Sequence, residues 1–136
     1  MSSPVFEGGC LCGEVRYRAS GEVSDATFCH CGTCRRAAGA PVVAWITVPV
    51  ARFAFTRGGP VEFHSSPPVT RSFCGACGTP LTYRHASSPD AIDVTTASCD
   101  EPEAFPPADH TWTSHGIGWM QADDGLPRHR ERRDRR

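Results

Sequence analysis

Polar and apolar residues alternate along this chain in short bursts, and nearly every burst is closed by glycine, proline or cysteine. Residues 14–19 (EVRYRA) run at a period of two, as a half-buried strand does, and Ser20-Gly21 ends them. Residues 23–28 continue as a second extended segment. Residues 42–48 (VVAWITV) form the most apolar burst, β-branched and aromatic, with Pro41 and Pro49 on either side. Short strands are expected at 53–56, 61–64, 69–73 and 81–84, separated by the turn Arg57-Gly58-Gly59-Pro60 and a Ser-Ser-Pro-Pro loop. Residues 91–97 (AIDVTTA) alternate again and read as the last core strand. One helical turn is expected at 35–39, stopped by Gly39 and Pro41. Residues 1–9 read as a tail entering the first turn, and the sequence from Asp100 onward reads as irregular. The pattern predicts a mainly β fold of short antiparallel strands with little helix.

Length and composition narrow this further. The 136 residues suit one domain, and 12 prolines with 13 glycines leave no room for long helices. No internal repeat marks a second domain. Residues 1–127 are expected to form the folded domain, and 128–136, with six arginines against two acidic residues, a disordered arginine-rich tail. A formal charge of −1 gives no general case for nucleic-acid or membrane binding. All 14 basic residues are arginine.

Eight cysteines change the picture most. A secreted disulfide framework and an intracellular metal scaffold both use that many. The N-terminus shows no charged segment followed by an apolar one, and no apolar run is long enough to span a bilayer. The expectation is a cytoplasmic, reduced, metal-binding protein. Seven of the cysteines cluster as Cys10-x-Cys12, Cys29-x-Cys31-x-x-Cys34 and Cys74-x-x-Cys77. Zinc takes four ligands in a structural site and leaves one position open in a catalytic site, so the seven divide as four plus three. Cys10, Cys12, Cys74 and Cys77 form two knuckles, each followed at once by a glycine that lets the backbone fold under the thiolates. They are expected to close one structural Zn²⁺. Cys29, Cys31 and Cys34 would hold a second, catalytic Zn²⁺ with an open position, where a thiol can be bound and deprotonated. Cys99 is the competing fourth ligand, whereas His30 lies between two ligands and points away. Arg35 and Arg36 directly follow the cluster and are candidates for holding the carboxylates of an anionic thiol. Trp112 and Trp119 are candidate pocket walls, Trp45 is assigned to the core, and His110 beside Trp112 is the histidine to watch.

The stretches GGCLCGEVRYRASG, FCHCGTCRRAAGAP and FCGACGTPL, followed by EPEAFPP and His110-x-Trp112, resemble the glutathione-dependent formaldehyde-activating enzyme family, which includes centromere-protein-V-like proteins. The resemblance covers roughly residues 5–127. It implies a β-tent stapled by zinc knuckles, with one structural and one catalytic zinc on the two cysteine sets named above. It also implies formation of S-hydroxymethylglutathione from formaldehyde and glutathione, a carbon–sulfur lyase reaction in reverse. Ala38 and Cys99 stand where such sequences more often carry a serine and an apolar residue. The expected partners are a small-molecule thiol and an aldehyde or related electrophile, without membrane or nucleic acid, and a homodimer is compatible. The competing reading is a non-catalytic binding module with two structural zinc sites.

Overall fold

The alternation in residues 14–19 becomes strand β2 (Arg16–Ser20), with Tyr17 and Ala19 buried and Arg18 turned to solvent. In the computed structural model, which describes residues 4–121 and 123–133, β2 is the centre of a three-stranded antiparallel sheet. Its neighbours are β1 (Val5–Gly9) and β5 (Phe53–Arg57). Residues 5–9 are therefore a strand and not a tail. Their alternation is masked by Gly8, whose hydrogen lies where any side chain would strike the Tyr17 hydroxyl.

The other strands are β3 (Ser24–Cys29), β4 (Val43–Pro49), β6 (Val61–Ser66), β7 (Val69–Phe73), β8 (Pro80–His85), β9 (Ala91–Thr95) and β10 (Asp109–Thr111). They form a seven-stranded sheet in the order β10-β3-β4-β9-β8-β7-β6. Its pairings are antiparallel except β10 on β3, which is parallel. The expected mainly β architecture with little helix is what the chain adopts. Among the described residues the one α-helix is α1 (Gly32–Ala38). It starts three residues earlier than expected because Cys31 caps it, its sulfur accepting the Cys34 N–H at 3.3 Å.

Strand β4 explains its own unbroken apolar run. Ile46 and Val48, on one face, join Tyr17, Leu81, Ile92 and Val94 in the main core. Val43 and Trp45, on the other face, pack with Cys29 and Cys34. A strand buried on both faces needs no polar alternation. β4 is thus the partition between the core and the thiol site.

The segment from Asp100 is more ordered than its sequence suggests. β10 carries no apolar alternation, but its Asp109, His110 and Thr111 are all buried. The expected disordered tail also differs in the structure: residues 128–133 lie along β10, with a parallel bridge between His110 and Arg128. Residues 134–136 of that stretch lie outside the described residues. No helix among the described residues is long and apolar enough to cross a membrane.

Candidate metal centre and its cavity

Two tight turns build the first thiol group. In one, the Cys10 N–H donates to Val15 O at 3.1 Å and the Gly13 N–H to Cys10 O at 3.2 Å. In the other, the Cys74 N–H donates to Thr79 O at 3.0 Å and the Gly78 N–H to Cys74 O at 2.8 Å. Gly13 and Gly78 adopt φ of 80° and 83°, left-handed values that a Cβ would strain. Backbone N–H groups of Val15 and Ala76 donate to the sulfurs of Cys10 and Cys74 at 3.3 and 3.4 Å. The Leu11 N–H reaches Thr79 Oγ1 at 3.1 Å and ties one knuckle to the other. The four sulfurs lie within 4.8 Å of one another, with Cys10–Cys12 at 3.6 Å and Cys12–Cys74 at 3.8 Å. The Thr79 hydroxyl and backbone hold the Cys77 thiol down at about 5.

The second group comes from one continuous stretch. Cys29 ends β3, Cys31 caps α1 and Cys34 sits in its first turn, so one strand-to-helix corner aims three sulfurs inward. These also lie within 4.8 Å of one another, with Cys29–Cys34 at 3.5 Å. Hydrogen bonds shared with Cys31 and Cys34, then burial, push the Cys29 thiol far up, and the same sharing holds Cys31 far down. Three adjacent sulfurs cannot all ionise without a cation among them. Tetrahedral Zn–S bonds of about 2.3 Å place sulfurs about 3.8 Å apart, so both donor sets fit zinc.

Cys99 joins neither group among the described residues. It is 5 % exposed in the main core, where the Tyr17 hydroxyl reaches its sulfur at 3.5 Å. His30 turns away from the sulfurs, as expected. It is buried, with Nε2 2.8 Å from His110 Nδ1, and His110 Nε2 lies 2.8 Å from Asp124 Oδ2. This chain of hydrogen bonds braces the Cys29–Cys31 corner from behind. It places His110 in a structural network and not on the cavity.

The three sulfurs line a cavity of about 910 Å³. Trp45, Tyr83 and Trp112 supply its aromatic walls, and its charged lining includes Arg36, Arg71, Arg132 and Arg133 with Asp25 and Asp93. Trp112 takes φ of 56°, a left-handed conformation uncommon for a bulky residue, and that turn sets its ring 5.1 Å from His115, also on the wall. Of the sequence candidates, Arg36 and Trp112 reach the cavity. Arg35 does not line it, and its Nε is buried without a hydrogen-bond partner. Trp119 is 75 % exposed and also stands apart. Trp45 is both core and wall.

Arg71 was not among the sequence candidates. Its Nη2 donates toward Cys34 Sγ at 3.8 Å and Thr33 Oγ1 at 3.3 Å, and its guanidinium sits 5.0 Å from the Tyr83 ring centroid. The available signal was an arginine at an inward position of the 69–73 strand, in phase with Val69.

Comparison with known proteins follows the same lines. A sequence profile described as glutathione-dependent formaldehyde-activating enzyme matches residues 5–115. A Schizosaccharomyces pombe protein, described as an uncharacterized lyase, is 31 % identical over 91 residues. That match spans 62 % of this chain and 61 % of the relative, so less than two thirds of the yeast protein is represented. The crystal structure of a Rhodobacter sphaeroides protein superposes with a TM-score of 0.57 at 22 % identity, covering 90 % of this chain and 98 % of that one. This last likeness concerns the fold.

Proposed function

This chain belongs to the glutathione-dependent formaldehyde-activating enzyme family, and from that membership we propose that it is a zinc-dependent carbon–sulfur lyase acting on thiol adducts of a small aldehyde. The thiol sulfur bonds to the aldehyde carbon while the thiol proton ends on the carbonyl oxygen; the lyase direction reverses both changes. Formaldehyde and glutathione are the expected pair. Cys10, Cys12, Cys74 and Cys77 would hold a structural ion, and Cys29, Cys31 and Cys34 a catalytic one. When bound, the catalytic zinc supplies positive charge that lowers the pKa of a thiol and raises the fraction of the nucleophilic thiolate.

The remaining work falls to the chain's own side chains. Arg71 offsets negative charge at Cys34 through its Nη2. Trp45, Tyr83 and Trp112 wall the cavity with low-polarity surface, which strengthens electrostatic contacts inside it. Arg36 offers a guanidinium to a carboxylate of the thiol.

The observation that carries this reading is a set of three converging sulfurs with no fourth ligand among the described residues, facing a cavity of substrate size. A binding module with two closed zinc sites would need a fourth protein ligand at that corner. Cys99, its best candidate, is buried in the main core instead. Zinc content of wild type, Cys99→Ser and Cys31→Ser, with ¹³C exchange between formaldehyde and its glutathione adduct, tests the assignment. Two ions are expected in the first two proteins and one in the third, with accelerated exchange lost only in Cys31→Ser. Loss of an ion from Cys99→Ser, or undiminished exchange in Cys31→Ser, refutes the lyase reading.

A further inference from the structure

Residues 116–133 lie beyond the stretch matched by the family profile, yet the end of this segment forms part of the cavity wall. Residues 127–131 run as a strap along β10 and the turn after it. The His110 N–H donates to Pro127 O and the His129 N–H to His110 O, both at 2.8 Å. The N–H groups of Trp112, Thr113 and Ser114 donate to the carbonyls of Glu131, His129 and Arg130 at 2.9, 2.9 and 3.0 Å. Arg133 then pins the end of the strap. Its guanidinium reaches both carboxylate oxygens of buried Asp109 at 2.6 Å and Asp25 at 2.8 Å. Between these two anchors, Arg132 lines the cavity.

Four arginines, Arg36, Arg71, Arg132 and Arg133, line the cavity against two carboxylates, Asp25 and Asp93. Arg133 is matched by Asp109 and Asp25. Arg36 and Arg132 have no carboxylate partner among the described residues, and Arg71 is met by hydroxyls, a thiol and a ring. Of the acids on the wall, Asp25 takes Arg133 and Asp93 accepts the Thr47 hydroxyl at 2.7 Å. Arg36 and Arg132 are exposed at the cavity and, among the described residues, no carboxylate lies within ion-pair distance of either, so both guanidinium groups are open to an anionic ligand.

We propose that the strap is part of the substrate site and that Arg132 is a specificity-determining residue, taking a carboxylate of the thiol cosubstrate. The chain then prefers carboxylate-bearing thiols over uncharged thiols of equal reactivity. This rests on the lyase reading, which supplies the thiol. The test is equilibrium binding of glutathione and of 2-mercaptoethanol to the zinc-loaded full chain. Wild type is compared with Arg132→Ala, Arg132→Lys and Arg130→Ala. Arg130 is exposed on the same strap and off the cavity wall, so its loss controls for charge at a distance.

Arg132→Ala is expected to bind glutathione about five- to tenfold more weakly, the size of one partly exposed charge-assisted contact, and 2-mercaptoethanol unchanged. Arg132→Lys should retain part of the affinity, and Arg130→Ala should stay within about twofold of wild type. Unchanged glutathione binding in Arg132→Ala overturns the proposal, as does an equal loss in Arg130→Ala or an equal loss for both thiols. If zinc-loaded wild type binds neither thiol, the lyase reading falls and the proposal with it. If wild type binds glutathione and Arg132→Ala binds it equally well, the proposal alone falls.

Discussion

Arg71 sits 9 % exposed on β7, its guanidinium spread between Ser65, Thr33, the Cys34 sulfur and the Tyr83 ring. A buried cation without a carboxylate partner is costly unless anions lie close by, and the sulfur group is the nearest source of negative charge. Arg71→Met keeps most of the bulk and removes the charge. It is expected to weaken zinc retention at the three-cysteine site by roughly tenfold, while the four-cysteine site serves as an internal reference. Arg71→Lys should recover only part, because a point charge lacks the fork that spans Thr33 and Cys34. Competition with a chelating indicator measures both sites, and equal retention in Arg71→Met would reduce Arg71 to a packing residue. The contrast with the cysteines shows what sequence reading resolves at this scale. Cys29, Cys31 and Cys34 are local neighbours, so their spacing alone announces a shared ligand. Arg71 meets Cys34 from 37 residues away, and it is the order of the large sheet, β3-β4-β9-β8-β7, that brings it there.

At the scale of elements, strands with apolar alternation were legible and strands stabilised by polar pairing were not. The 42–48 run showed itself because β4 is covered on both faces. β10 and the strap after it have no such signature, since what holds them is backbone pairing and a buried ion pair. Asp109 is the centre of that pair. Burial opposes its charge, but hydrogen bonds and attraction from Arg133 outweigh burial and hold the carboxyl below its ordinary range. A carboxyl depressed in the fold stabilises it above the unfolded pKa, about 4, and that contribution is lost as pH falls through the folded value. Asp109→Asn should therefore cost about 2 kcal/mol at pH 7, the usual worth of a hydrogen bond to a charged group. Its deficit relative to wild type should stay level down to about pH 5 and shrink below about pH 4. Denaturant unfolding of both proteins across that range checks this. Acid effects on the thiol sites are common to both and cancel in the difference, so a deficit that does not change with pH would remove Asp109–Arg133 as the anchor.

For the molecule as a whole, the two thiol groups have unequal mechanical positions. Cys12 and Cys74 are 62 residues apart, and their group joins the β1–β2 turn of the small sheet to the β7–β8 turn of the large one. Main-core residues come from both sheets, so an ion held there fastens the layers that enclose the core. The Cys29, Cys31 and Cys34 group spans six residues at a single corner, already braced by His30 and His110. Binding energy that closes a long loop between sheets is folding energy, whereas energy spent within one corner is largely local. Cys74→Ser is accordingly expected to lower the melting temperature by more than about 10 °C, equivalent to several kcal/mol, or to prevent folding. Cys31→Ser should lose its ion and move the melting temperature by only a few degrees. Calorimetry with zinc content measured on the same samples decides between them. Equal destabilisation by the two changes would mean that both sites carry the fold. The three-sulfur corner would then no longer be free to exchange a ligand without loosening the structure around it, and a turnover site needs that freedom.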